Sequence, residues 1–254
     1  MINNIEKNLE ISATKSSWLY LLPNLFTTTA LFSGFYAIIA AIQGHFEIAA
    51  LSVFIASIAD ILDGRVARLT HTQSAFGSTY DSISDMVAFG VAPPLMMYLW
   101  SLHSLGKIGW VIAFIYLTAV ALRLARFSIQ TSGEDKRFFS GLASPPAAVV
   151  VVCCIWLGSI RHISGDSIAV YMAALLTILA ILLVSTLRYY SFKTIKLKDQ
   201  WFVALLFLVI ESLIVFIFGF PEAIITFVLL YSLSGPTFFL WKLCQPHKKY
   251  LKTF

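Results

Sequence analysis

Residues 147–158 read "AAVVVVCCIWLG", twelve positions without a charged side chain. Apolar side chains fall on consecutive positions, whereas a membrane strand would alternate between lipid-facing and lumen-facing residues. A helix satisfies its own backbone polar groups and is the form such a run takes in hydrocarbon. "VALLFLVIESLIVFIFGF" at 203–220 repeats the pattern, and the chain has a mean hydropathy of +0.83 with 12% charged residues. An ordinary soluble domain carries about 25% charged residues. The fold class expected is all-α, a polytopic membrane helix bundle.

Working outward from that run, eight apolar segments can be marked, at 20–42, 46–62, 82–102, 108–128, 142–160, 167–187, 200–219 and 221–243. The last two are joined by the tight turn Gly219 to Glu222, with Pro221 opening a new helix. Sixteen basic residues then fall on one side of the membrane and only Lys107 and Arg161 on the other, which accounts for all eighteen. The positive-inside rule puts both termini and the loop between the second and third segments on the cytoplasmic face. No internal repeat is visible, so the expected organisation is a polar tail or interfacial helix at 1–17, one membrane domain at 18–243 and a basic tail at 244–254.

The formal net charge of +5 is carried beside apolar segments, where it meets anionic headgroups, and no nucleic-acid partner is expected. Cys153, Cys154 and Cys244 are too few for a disulfide framework and read as packing residues. The N-terminus lacks the basic start, apolar core and small-residue cleavage site of a secretory signal. Glu211 falls in the middle of the seventh segment, where a charge is expensive, and takes no catalytic role. The five histidines show no ligand spacing, and His71 reads as a loop residue facing solvent.

Against this background, residues 60–85, "DILDGRVARLTHTQSAFGSTYDSISD", hold four of the thirteen acidic residues. Asp60 and Asp63 are three apart, Asp81 and Asp85 four apart, so on helices each pair shares a face. Like charges at about 4 Å repel by roughly 4 kcal/mol at an effective dielectric near 20, so four ionised carboxylates do not gather without positive charge. Either some are protonated or metal ions bind. Hard oxygen donors without Cys or an in-register His favour Mg2+ or Mn2+ over zinc. Gly64, Ala67 and Gly77 leave room for close approach, and Arg68 offers a fork of donors suited to phosphate, which together describe a metal-bound diphosphate pocket.

The full spacing D-G-x2-A-R-x8-G-x3-D-x3-D is met by Asp63, Gly64, Ala67, Arg68, Gly77, Asp81 and Asp85, with Asp60 three before. It is similar to the signature of the CDP-alcohol phosphatidyltransferase family. The resemblance implies transfer of a phospho-alcohol group from a CDP-alcohol to a second hydroxyl compound with release of CMP, and two bound divalent cations, Mg2+ or Mn2+. Carried onto this chain, it makes Asp60 and Asp81 bridging metal ligands, Asp63 a ligand to one ion, and Asp85 a ligand to the other and the general base. Gly64 and Arg68 would contact the CDP part, and Gly77 would give room for the cytidine. Asn24 and Ser74 would reach the donor's diphosphate; Asn24 reads equally as a helix cap after Pro23.

"ALRLARFS" at 121–128, "FFSGLASPPAA" at 138–148 and "LYSLSGP" at 230–236 resemble the bacterial and archaeal phosphatidylserine synthase branch, which joins CDP-diacylglycerol and L-serine. Ser128 and Ala143 stand where that branch commonly has Asn and Pro. The resemblance also implies a homodimer. Arg123 and Arg126 share a helix face and could clamp the serine carboxylate or a donor phosphate by paired hydrogen bonds, or snorkel as topology charges. The same chemistry with choline, glycerol 3-phosphate or inositol phosphate as acceptor, and a divalent-cation transporter with no chemistry, are the competing readings. Carboxylates at one end of their helices, rather than along a path across the membrane, argue for the enzyme.

Overall fold

The computed structural model describes residues 2–129, 138–186 and 188–190, with Thr226 and Ser232 as isolated positions. The seventh segment with Glu211, the eighth apart from those two positions, and the C-terminal tail lie outside the described residues. The described chain is a helix bundle with one small ribbon. Its helices are α1 (Ile2–Ile42), α2 (Phe46–Leu69), α3 (Ala75–Asp85), α4 (Ala92–Trp100), α5 (Lys107–Ile129), α6 (Ser144–Ile160) and α7 (Ala169–Val184). A π-helical turn, Met86–Val91, joins α3 to α4 in one continuous rod.

Four helical stretches are long and apolar enough to cross a bilayer: Leu21–Ile42, Ala75–Trp100, Lys107–Ser128 and Gly165–Val184. The 17-residue α6 is a shorter apolar helix. Each coincides with an expected segment to within a few residues, except that the third begins seven residues earlier, at Ala75 rather than 82. The polar turns that carry Asp81 and Asp85 are thus part of the same helix as the apolar run. Likewise α2 continues past the apolar segment to Leu69. The backbone of α1 is helical without a break from Ile2 through Pro23 to Ile42. At about 1.5 Å per residue, this helix is about twice the thickness of a bilayer core.

Packing between α1 and α2 rests on small side chains. Ala30, Ala37, Ala40 and Ala41 of α1 and Ala49, Ala50 and Ala56 of α2 are all at most 2% exposed. In lipid, where apolar side chains gain little by leaving solvent, such surfaces let backbones approach closely and gain dispersion contacts. Gly34 carries the closest approach: a Cβ there would lie 2.6 Å from Ala88 Cα in the π-helical turn. Large apolar side chains point outward instead, among them Leu25, Phe32 and Phe35 on α1 and Ile108 and Phe114 on α5. That inside-out distribution suits a lipid surround.

The all-α bundle carries one small extended element. Phe138–Ser140 pairs antiparallel with Arg188–Tyr190, Phe139 opposite Tyr189, and so ties the entry to α6 to the exit from α7. Isolated three-residue strands leave little periodicity in a sequence, which is why the ribbon is not apparent there.

Candidate active site

The carboxylates sit where α2 and α3 meet, and the turn between them is fixed by local chemistry. Thr70 ends α2; His71 follows at φ 55 in the left-handed region. The Thr72 N–H returns to Ala67 C=O at 3.0 Å and the His71 N–H to Arg68 C=O at 3.4 Å. This is a Schellman ending with histidine in the place usually taken by glycine. His71 is exposed, as expected. Thr72, whose hydroxyl lies 2.7 Å from that of Thr70, is buried beneath it. Ser74 then caps α3, its Oγ accepting the Gly77 N–H at 3.0 Å.

Folded this way, Asp60, Asp63 and Asp81 each present an oxygen within 4.8 Å of the other two. Asp63 is 5% exposed, while Asp60 and Asp81 are half-buried. Asp85 lies one turn beyond Asp81, outside that closest trio but within reach of the charges of Asp60, Asp81 and Arg123. In an octahedral site with ligands at about 2.0 to 2.1 Å, oxygens stand about 3 to 4 Å apart, so the trio fits a hard divalent cation. The donor set is all oxygen, which suits Mg2+ or Mn2+.

Beside the trio is a cavity of about 350 Å³. Asn24, Gly64, Ala67, Arg68, Ser74 and Gly77, the six residues expected to bind the donor, all line it together with Asp63 and Asp81. Glycine is not forced on Gly64 by the protein, since a Cβ there would meet only the Arg68 guanidinium at 3.7 Å, an ordinary contact. The space its missing side chain leaves is open to a ligand. Asn24 does not cap a helix end, because α1 runs through it.

Sequence reasoning missed Thr27, Thr72, Gln73 and Ser78, which line the same cavity. Thr27 is 3% exposed, and its hydroxyl donates to Asp63 Oδ2 at 2.7 Å. The signal was present in "TTT" at 27–29, three hydroxyls at the start of an apolar segment. Thr28 and Thr29 instead back-bond to Asn24 and Leu25 carbonyls, and Thr28 also meets the Tyr80 hydroxyl at 2.9 Å.

The two arginines of α5 separate. Arg123 Nη1 donates to Ser144 Oγ at 2.7 Å, and its charge reaches Asp85. Arg126 instead reaches the end of α7, its Nη1 donating to Val184 C=O at 3.0 Å and Nη2 to Leu183 C=O at 3.2 Å. Those carbonyls have no partner within their own helix, so a cation there caps α7 and meets its negative end. Three residues apart on one face, the two side chains part to different neighbours. Gly141, at φ 83, completes this contact, since a Cβ would lie 2.6 Å from Leu183 O and 2.8 Å from Arg126 Nη2.

Residues 20–172 match the family model described as CDP-alcohol phosphatidyltransferase. The chain belongs to that family. Among its relatives is a protein of Helicobacter pylori named CDP-diacylglycerol–serine O-phosphatidyltransferase, 39% identical over 218 residues, covering 85% of this chain and 90% of the relative. A protein of the same name from Methanocaldococcus jannaschii is 33% identical over 183 residues, 72% of this chain and 80% of the relative. An archaetidylserine synthase of Methanothermobacter thermautotrophicus is 31% identical over 157 residues, 61% and 66% of the two chains.

Proposed function

We propose that this chain transfers the phosphatidyl group of CDP-diacylglycerol to the hydroxyl of L-serine, giving phosphatidylserine and CMP, at the cytoplasmic face of a membrane. The observation that carries the reading is the single cavity in which all six expected donor-binding residues adjoin the carboxylate trio. The names of the relatives support serine as acceptor. In this reading Asp60, Asp63, Asp81 and Asp85 hold two divalent cations, Mg2+ or Mn2+. When bound, such ions neutralise a diphosphate and stabilise its entering and leaving oxygens.

The chain's own residues divide the remaining work. Arg68, Asn24 and Ser74 orient the diphosphate, and Gly64, Ala67 and Gly77 admit the nucleotide. Asp85 takes the proton of the serine hydroxyl; the serine oxygen forms a bond to the phosphorus that bears diacylglycerol, and the bond to the CMP oxygen breaks. Arg123 pairs with the serine carboxylate, while Arg126 serves the end of α7. Eight spans with both termini cytoplasmic, and a homodimer by family analogy, belong to the same proposal.

Purified protein given CDP-diacylglycerol, Mn2+ or Mg2+ and one alcohol at a time tests it through CMP release. Release with serine is expected. Release only with choline, glycerol 3-phosphate or inositol phosphate overturns the acceptor, and metal flux without any CMP overturns the enzyme in favour of a transporter. A donor chiral at phosphorus should give inversion; retention would mean two displacements through a covalent intermediate.

A further inference from the structure

We infer that Thr27 is the positioning residue of the carboxylate centre, one residue of α1 that holds both helices on which the aspartates stand. Resting on the proposed cation-binding role of those aspartates, the inference adds a determinant outside the D-G-x2-A-R-x8-G-x3-D-x3-D spacing.

Two bonds leave Thr27 for two different helices. Its hydroxyl donates to Asp63 Oδ2 of α2 at 2.7 Å. Its carbonyl accepts from the Ser84 hydroxyl of α3 at 3.0 Å, one residue before Asp85. All three are nearly sealed, Thr27 at 3%, Asp63 at 5% and Ser84 at 1% exposed, so water does not compete for these bonds. The hydroxyl has one proton and a second acceptor in reach, the Pro23 carbonyl at 3.2 Å. The shorter distance and the charge on the acceptor direct the proton to Asp63. That bond stops the Asp63 carboxyl from turning about its terminal torsion, which is otherwise broad. The Ser84 bond fixes the height of α3 against the same point of α1. Together they set where Asp81 stands relative to Asp63 without touching Asp81. Outer partners of this kind orient metal-binding carboxylates, and their loss typically weakens metal affinity 10- to 100-fold.

The test is a Mn2+ titration of the purified full chain in detergent, without substrate, reading free Mn2+ by electron paramagnetic resonance. Thr27→Val keeps the shape and removes the hydroxyl; Thr27→Ser keeps the hydroxyl. Thr27→Val is expected to raise the Mn2+ Kd about 10-fold or more, with Thr27→Ser staying within about 3-fold of the parent. Thr27→Val, which loses a buried bond to a carboxylate, should also melt below Thr27→Ser when metal-free, so the Kd is read on folded protein, where a merely structural role for the hydroxyl would leave it unchanged. Parent-like Mn2+ affinity in folded Thr27→Val overturns the inference. If Thr27→Val does not fold, Ser84→Ala decides from the other helix: a rise in Kd of about 3-fold or more supports the bracket, and unchanged affinity overturns it. A parent chain that binds no Mn2+ would instead sink the cation-binding reading itself, so the two failures are distinguishable.

Discussion

The carboxylate region and the arginine region meet at Asp85, yet they are assembled in different ways. On α2 and α3 the functional groups lie within one stretch of 26 residues, and a tight turn brings them together. On α5 the partners come from afar: Arg123 meets Ser144, 21 residues on, and Arg126 meets carbonyls 57 and 58 residues on. The first region holds its chemistry through a local register. The second holds the ends of three helices together, and only part of it is turned to the site.

Breaking the first region should have the larger effects. Asp85→Asn is expected to lower CMP release about 10³-fold or more by removing the general base, while CDP-diacylglycerol binding measured by calorimetry stays close to the parent. Full turnover in that variant would remove Asp85 as base. Asp60→Asn, by contrast, should weaken Mn2+ and donor binding together, each by about 10-fold or more, when both are titrated on the same preparation.

The second region should split under parallel changes to its arginines. For Arg123→Lys we expect the KM for serine to rise about 10- to 100-fold, the loss of one charged hydrogen bond of about 1.5 to 3 kcal/mol, at unchanged Mn2+ affinity. Arg126→Lys should leave that KM alone and lower the thermal unfolding midpoint, because its contacts are to the α7 terminus. Equal effects of the two on KM would mean that both arginines serve the acceptor. Smallest of all, His71→Gly relieves a left-handed residue at the end of α2 and should raise stability by up to about 1 kcal/mol in denaturant titrations, without altering turnover.

The same contrast decides what was legible in the sequence. Runs such as 147–158 announce buried helices because composition alone excludes other forms in lipid. The aspartate spacing is legible because α2 and α3 are regular up to their ends and joined by five residues, Thr70 to Ser74. Thr27 was not, because its significance depends on α1 lying against α2 at that height, which spacing within either helix does not encode. The contacts of Arg126 were hidden for the same reason: helix periodicity gives the face a side chain starts from, and a long guanidinium then follows whichever carbonyls tertiary packing delivers. The departures at Ser128 and Ala143 find local explanations only in part. The Ser128 hydroxyl bonds back to Leu124 C=O at 3.0 Å, and Ala143 is the extended residue before Ser144, where nothing in its contacts explains the change.

The π-helical turn at Met86–Val91 has a bearing on how this site tolerates insertions and deletions. In an α-helix each residue advances the phase by about 100°, and a π turn accommodates one extra residue without breaking the rod. Asp81 and Asp85 stand before it and the buried Met96 and Met97 after it, while Ala88 within it meets Gly34 of α1. Losing a single residue from this turn would regularise the helix and swing the carboxylates by about a quarter of a turn relative to the packed half, away from Asp63. A frame-preserving deletion of one codon here, in a stretch that carries no charged side chain, would then be as damaging to the centre as replacing one of its aspartates.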